Sequence, residues 1–570
     1  MIVTLITWLY ISIICLIWGN FFLQMVASKF GHKATLNCAL TCMAGLSLIG
    51  GSSLLISIFI PLGGWAQSLV LWPAVIYCLF NRNRRRLVTQ VRLFASSFSW
   101  KGYSMLAICM LMVLVINAHV VIHPDTLMYH NQSIEWLETY KAIPGIAHIY
   151  PQLGFQSLWF ASQAIFSFKS LSSNPSFFLS GCFLCWYFIF IVGMIEKSLG
   201  GRNKNANPMT AAGWGWVLLL IYSMASWTQV RLTAASASPD FPAAVYILAS
   251  LFAFRQTPYS PSERGGYLMV SILFCLTAVS IKFSAAAILL LAVWIIFIFI
   301  RQRLFSVVFF SVGLGGFMLV PCLVRNFIAS GYPFYPISFF NVLHPDWQVP
   351  LSTLSTLQHY ITVYARFPIS RETANETFLL PFSKWIPGWW HHLSIPDQLM
   401  IFVVFWACML NLIFFRSALA QLRKTNLAIF FIFLSGVLLW FFEAPDPRFG
   451  IGFLAGLLFI LCLNIKEKMS LQLEQAAAVG YRLLLAGFSL SILLYTGHRF
   501  ISFFKPGDLV FPAGIEKMNY RTLVCEGITV NMPLEKDSVC GSIPVPCSTD
   551  SCRTFKLRGR TISDGFKRPD

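Results

Sequence analysis

The chain has 570 residues, of which 57% are hydrophobic and only 11% charged. Soluble domains carry about a quarter charged residues, so this composition excludes a water-soluble globular protein and makes lipid the solvent for most of the chain. The formal net charge of +19 is spread over short clusters between apolar runs, as the positive-inside rule distributes it. With neither basic repeats nor a binding fold beside it, that charge argues against nucleic acid as a partner.

The N-terminal run MIVTLITWLYISIICLIWGNFF lacks the basic n-region and small-residue cleavage site of a secretory signal, so it reads as a retained span. Further apolar stretches follow at 36–58, 62–80, 103–122, 176–195, 211–230, 241–255, 267–282, 284–300, 304–323, 398–415, 426–442, 449–464 and 480–497. The fold class expected is therefore an all-α polytopic membrane protein with about fourteen transmembrane helices.

The basic residues set its orientation. Lys29 and Lys33, Arg82, Arg84, Arg85 and Arg86, then Lys197, Arg202 and Lys204, Arg301 and Arg303, Arg416, Arg423 and Lys424, and Lys466 and Lys468 occupy every second loop, which makes those loops cytoplasmic and both termini outside. Parity allows one crossing between the outside loop at 123–150 and the basic loop at 196–208. The stretch 153–168 is short and holds Gln156 and Gln163, so it is expected to lie along the interface or re-enter. Three regions result: an N-terminal extension of three spans over 1–100, a transmembrane module over 101–497 and a non-cytoplasmic tail over 498–570. The outside face collects loops at 123–175, 231–240, 325–397 and 443–448, and that asymmetry places function there.

The first of these loops reads HPDTLMYHNQSIEWLETYKAIPGIAHIYPQLGF. Asp125 follows directly on a span, where an ionisable group is costly without a task. If 126–140 is helical, Thr126 and His130 share a face at i, i+4, while Ile134 and Leu137 form a lipid-facing stripe. A carboxylate beside His123 and His130, with Glu135 close by, suits a general base, because burial lifts a carboxyl toward neutrality. The alternative is that Asp125 N-caps a juxtamembrane helix and the histidines are interfacial. In the turn at 231–240, Arg231 and Asp240 either anchor and cap, or bring a second acid and an anion contact to the same cavity. Lys282 stands near the outer end of a span, snorkelling or contacting phosphate. In the long loop, Arg325 and Asn326 lead into Tyr332, Tyr335 and Trp347, suited to bidentate phosphate contact and to stacking on sugar or bordering a lipid tail. The segment KWIPGWWHH at 384–392 reads as an interface anchor. The turn FFEAPDPRFG sets Asp446 beside Arg448, as a rim-holding pair or a phosphate site.

Fifteen cysteines are present, most of them inside apolar segments where a thiol behaves as a small hydrophobe. Cys525, Cys540, Cys547 and Cys552 lie in the polar tail without a C-x-x-C pair or a neighbouring His. That pattern favours disulfides in an oxidising compartment over zinc, with the pairing open.

The loop pattern resembles the GT-C superfamily of polytopic glycosyltransferases, which use polyprenyl-phosphate sugars as donors. In that superfamily an acidic residue follows a span in the first outside loop, juxtamembrane helices that do not cross come next, and a second polar motif sits in the following outside loop. Asp125, the segments 131–140 and 153–168, and the Arg231 and Asp240 pair match it. If 103–122 is counted as the first span, the long loop follows the seventh, as in the superfamily. PDTLMYHNQSIEW, RNFIASGYPFYP and APDPRFG also look like a group of uncharacterised bacterial envelope membrane proteins classed near it, over roughly residues 100–560.

The resemblance implies a transferase in the inner (plasma) membrane, with its active face periplasmic or extracellular, moving sugar from a polyprenyl-phosphate donor to a glycan, lipid or protein acceptor. Asp125 would take the acceptor proton, with Asp240 and His130 beside it, while Arg231, Lys282 or Arg325 neutralises the leaving phosphate. Departures are a lone Asp125 without an adjacent second acid, the three extra N-terminal spans and the Cys-containing tail. No metal ligands are assigned, and a divalent ion, Mg or Mn, is left open as a cofactor. The rival readings are a lipid-linked glycan polymerase or ligase, and a flippase or transporter of an anionic lipid-linked substrate. The transporter reading lacks the midplane polar groups and internal repeats expected of it.

Overall fold

The computed structural model describes residues 1–169, 174–198, 211–226, 230–256, 261–366, 380–413, 424–462, 471–503, 505–534, 539–549 and 554–569. Arg202, Lys204, Arg416, Arg423, Lys466, Lys468 and Cys552 fall outside them.

Helix makes up most of the described part of each of the fourteen apolar stretches, because in an apolar medium every backbone N–H and C=O must find its partner within the segment. In chain order these are α1 (Ile2–Phe30), α2 (Cys38–Ile56), α3 (Ala66–Leu79), the basic helix α4 (Asn81–Ser96), α5 (Trp100–Ala118), α6 (Asn131–Thr139), α7 (Leu158–Ile165), α8 (Phe178–Ser198), α9 (Ala211–Ala225), α10 (Asp240–Arg255), α11 (Pro261–Ile281), α12 (Leu289–Arg301), α13 (Phe305–Ser330), α14 (Leu351–Ala365), α15 (Phe382–His392), α16 (Ile395–Ile413), α17 (Lys424–Glu443), α18 (Pro447–Cys462) and α19 (Leu471–Phe503). Seven helices among the described residues are long and apolar enough to cross a membrane, while α3, α9, α16, α17 and α18 contribute shorter apolar runs. This makes the chain a predominantly α-helical, multi-pass type of protein.

The first two helices are no appendage. Apolar residues from Trp8 to Ile515 form one core, with α2 packed on α1, α7, α8 and α13. Small residues allow the closest crossing: a Cβ on Gly19 would meet the Thr41 carbonyl oxygen at 1.9 Å, and one on Gly45 the Cys15 carbonyl oxygen at 1.8 Å.

Helix α7 has 8 residues and rises about 12 Å, far short of a roughly 30 Å hydrocarbon layer. All of its residues are buried, so it lies inside the bundle rather than along an interface. Ile134 and Leu137 are likewise buried in the core, which corrects the lipid-facing stripe: the apolar side of α6 packs on α7. Helix α13 continues past 323 to Ser330, so Arg325 and Asn326 are helical and not part of a loop. Gly331, at φ 85°, closes it with an N–H donated to the Phe327 carbonyl at 2.7 Å.

The tail adds the strands. An antiparallel hairpin joins β1 (Tyr520–Cys525) to β2 (Ile528–Pro533), and β3 (Lys556–Leu557) pairs with β4 (Phe566–Lys567). Glu526 and Gly527 both have positive φ, 51° and 84°, the conformation that a two-residue hairpin turn with the natural strand twist requires. Val530, Phe555 and Phe566 bury themselves against Trp136, Ile143 and Ile149 of the first loop. The tail is thereby held on the end of the bundle where α5 ends. Cys540 is bonded to Cys547, and Cys525 is also disulfide-bonded.

Candidate functional site

Four helix ends converge under this tail. After α5, residues 119–122 run extended, and the Val121 N–H donates to the Gly514 carbonyl at 3.1 Å. Pro124 and Asp125 follow, then a π-helical turn over Thr126–His130, a form frequent at functional sites. Asp125 makes no side-chain cap to that turn. Its Oδ2 instead accepts from Arg448 Nη1 at 3.0 Å.

Arg448 organises the cluster. Its Nε donates to Asp446 Oδ2 at 2.8 Å, and its own N–H to Asp446 Oδ1 at 3.1 Å, so Asp446 caps α18 while fixing the guanidinium. Pro445 and Pro447 stiffen the turn, with Pro447 at the first helical position, where its missing N–H costs nothing. Two indoles clamp it: Trp389 Nε1 donates to the Pro445 carbonyl at 2.8 Å and Trp440 Nε1 to that of Asp446 at 2.7 Å. Trp385 and Trp389 of α15 are therefore buried against α17, while Lys384, Trp390, His391 and His392 of the same segment stay exposed.

Asp240, in the first turn of α10, lies 3.9 Å from Arg448 Nη1 and accepts a short bond from Lys282 Nζ at the end of α11. The Lys282 ammonium also stands 3.4 Å over the Phe449 ring, a cation–π contact that helps hold a charge away from water. The side chains of Asp240, Arg448 and Asp125 are 8%, 15% and 29% exposed. With Asp446 at 7%, Asp125 is the most accessible of the three acids in this network, and its Oδ1 has no partner among the described residues.

His123 and His130 are buried behind Asp125, their rings 5.5 Å apart. His123 Nδ1 accepts the Thr126 N–H at 3.3 Å, and His130 Nδ1 meets Thr126 Oγ1 at 3.0 Å, the i, i+4 pairing expected from the sequence. Burial pushes both imidazoles below their ordinary value, His130 most strongly, so both are held neutral.

These groups open into a cleft of about 1110 Å3 lined by Asp125, His130, Asp240, Lys282, Asn326, Tyr335 and Arg448, with Phe155, Phe160, Phe283 and Phe334 among its apolar walls. Such a polar end on an apolar trough fits an amphiphile with a charged head. Asn326 is held by the Gln156 N–H at 3.1 Å, and Tyr335 Oη donates to the Pro151 carbonyl at 2.8 Å.

Several expected residues stand elsewhere. Arg325 is buried away from the cluster, with Nη1 donating to the Ser57 carbonyl at 2.6 Å and Nε to Gln156 Oε1 at 2.9 Å, and so ties α13 to the end of α2. Glu135 faces Lys169 at 3.4 Å. Tyr332 is buried with its hydroxyl on the Val349 carbonyl at 3.0 Å, and Arg231 lies near Arg499 and Tyr495 of α19. None of these four lines the cleft. Conversely, Phe449, Tyr129, His359 and Arg366 do line it without having been singled out; Arg366 stacks 4.8 Å over Trp385. Only Arg366, a cation directly after the apolar run ITVYA, carried a signal that the sequence shows. Among the described residues no group of three or more His, Cys, Asp or Glu side chains is disposed to hold a metal ion.

Fold and site together define a multi-pass helical protein with a charged cleft at one end of its bundle. The chain belongs to the family described as Domain of unknown function (DUF8201), whose model matches residues 1–455. No curated protein and no solved structure matches it.

Proposed function

We propose that this protein is a membrane glycosyltransferase of the polyprenyl-phosphate-dependent, GT-C-like kind, with about fourteen spans and its cleft on the outer face of the inner (plasma) membrane. The observation that carries the reading is the meeting of Asp125 and Asp240 with Lys282 and Arg448 at the polar end of an apolar cleft. An acceptor hydroxyl placed beside Asp125 attacks the anomeric carbon while Oδ1 takes its proton. The bond from that carbon to the lipid phosphate breaks, and the phosphate leaves with the bonding electrons, its charge met by Lys282 and Arg448. Displacement at one face inverts the anomeric centre. The 3.0 Å contact of Arg448 Nη1 with Oδ2 fixes the orientation of the Asp125 carboxylate.

The partners in this reading are the polyprenyl-phosphate sugar and a glycan, lipid or protein acceptor; Phe155, Phe160 and Phe334 would border the prenyl chain. The test is reconstitution of the full chain in proteoliposomes with a panel of polyprenyl-phosphate sugars and envelope acceptors. Release of polyprenyl phosphate coupled to sugar transfer supports the transferase. Translocation of the intact donor without bond cleavage would replace it with a flippase.

A further inference from the structure

A second cleft, of about 1190 Å3, opens between α1, α2, α4 and α8. Its separation from the first follows from two helices that reach both. Helix α10 carries Asp240 at the first cleft and Phe252 at the second, and α11 carries Tyr267 at the second and Ile281 at the first. At 1.5 Å per residue the two lie about 20 Å apart along the bundle, at opposite ends.

Five cations line it: Lys33 after α1, Arg82, Arg85 and Arg86 of α4, and Lys197 of α8. The acid lining it is Glu196, whose carboxylate already accepts from Ser99 Oγ at 2.7 Å and the Ser99 N–H at 3.2 Å. None of the five cations is ion-paired among the described residues. Five gathered and unneutralised cations repel one another, and an anion seated among them removes that cost.

The remaining walls are apolar, with Leu23, Leu40, Phe94, Ile189 and Phe252. Helix α4 has no buried residue, and Val88, Val91 and Leu93 are exposed beyond its arginine-rich first turns. A basic helix with an exposed apolar stripe at the end of a helical bundle has the make-up of a segment lying at the headgroup layer. It is pinned there by Gln90, whose Oε1 accepts from Asn20 Nδ2 at 2.6 Å and whose Nε2 donates to Thr41 Oγ1 at 2.7 Å.

We propose that this cleft binds the phosphate headgroup of an anionic phospholipid, with its acyl chains along the apolar walls. The site is independent of the transferase reading. Clustered juxtamembrane cations favour anionic over zwitterionic lipid, so a preference of at least tenfold over a zwitterionic lipid is expected.

The test is native mass spectrometry of the full chain in mild detergent with phosphatidylglycerol, phosphatidylcholine or inorganic pyrophosphate. Wild type should retain phosphatidylglycerol at least tenfold over phosphatidylcholine, and pyrophosphate should not displace it. Two variants built on different elements, R82Q/R85Q/R86Q and K33Q/K197Q, should each lose most of that preference. R84Q/R92Q, which removes charge from α4 outside the cleft, should keep it. Unchanged preference in the first two variants, equal loss in the third, or displacement by pyrophosphate would each overturn the assignment.

Discussion

Lys282 and Asp240 form a partly buried pair at the ends of neighbouring helices, their side chains 26% and 8% exposed, and breaking such a pair from the Lys282 side leaves the buried carboxylate short of compensation. Lys282→Met should cost about 2 kcal/mol, below the range for fully buried pairs because Lys282 is 26% exposed and Arg448 stays near Asp240. The double variant Lys282→Met/Asp240→Asn should regain most of it. Thermal unfolding in detergent measures both, and a double variant as unstable as the sum of its singles would contradict the pairing. His130 supplies a pH prediction. Its imidazole is held well below the ordinary 6.5 by burial, so the unfolded chain takes up a proton that the folded chain refuses. The His130 contribution is complete above that value and is lost as pH falls below about 6.5 toward the folded value. His130→Gln, which keeps a side-chain partner for Thr126, should flatten the fall in melting temperature between pH 6.5 and 5; an unchanged slope would rule out His130 as its source. At this scale Asp125, Asp240, Lys282 and the Thr126–His130 pairing were legible from position alone. Arg448 was visible as a rim partner of Asp446 or a phosphate contact but not as a partner of Asp125, because that bond spans 323 residues and no local pattern encodes the meeting. Arg325 misled for a related reason: a lone arginine after an apolar run looks the same whether it meets a ligand or a backbone carbonyl.

The elements nearest the site are braced by the tail. Asn131 Nδ2 donates to the Gly541 carbonyl at 2.9 Å and Gln132 Nε2 to that of Ile543 at 2.7 Å, both inside the short loop closed by Cys540 and Cys547. Removing that clip with Cys540→Ser/Cys547→Ser should destabilise the tail by about 2–4 kcal/mol. It should also raise amide hydrogen exchange across 123–132, the segment carrying Asp125. Exchange at wild-type rates there would show that the tail does not brace the site. Helix positions were readable because hydropathy is a local property, and α7 was rightly denied a crossing by its length and glutamines. Its burial was not readable, since an eight-residue apolar helix suits an interface and a protein interior equally. The docking of the tail was equally hidden, resting on contacts such as Trp136 with Phe566.

For the whole molecule the two clefts mark opposite ends of the bundle, with the tail over one and α4 at the other. An impermeant thiol reagent on intact cells should label Lys505→Cys and not Arg92→Cys, both exposed positions, above the background of the native cysteines. Labelling of both, or of Arg92→Cys alone, would contradict the proposed orientation. The alternation of basic loops made this arrangement readable, since Lys33, Arg82, Arg85, Arg86 and Lys197 do gather at one end.

The transferase reading is tested most directly at Asp125, which is accessible enough to be replaced without burying an unpaired group. The measurement is the initial rate of sugar transfer by wild type and Asp125→Asn in proteoliposomes, beside donor binding and melting temperature. A general base is worth about 10²–10⁴-fold, so the rate should fall by that factor while binding and melting temperature stay near wild type. Transfer by Asp125→Asn at the wild-type rate would contradict the account.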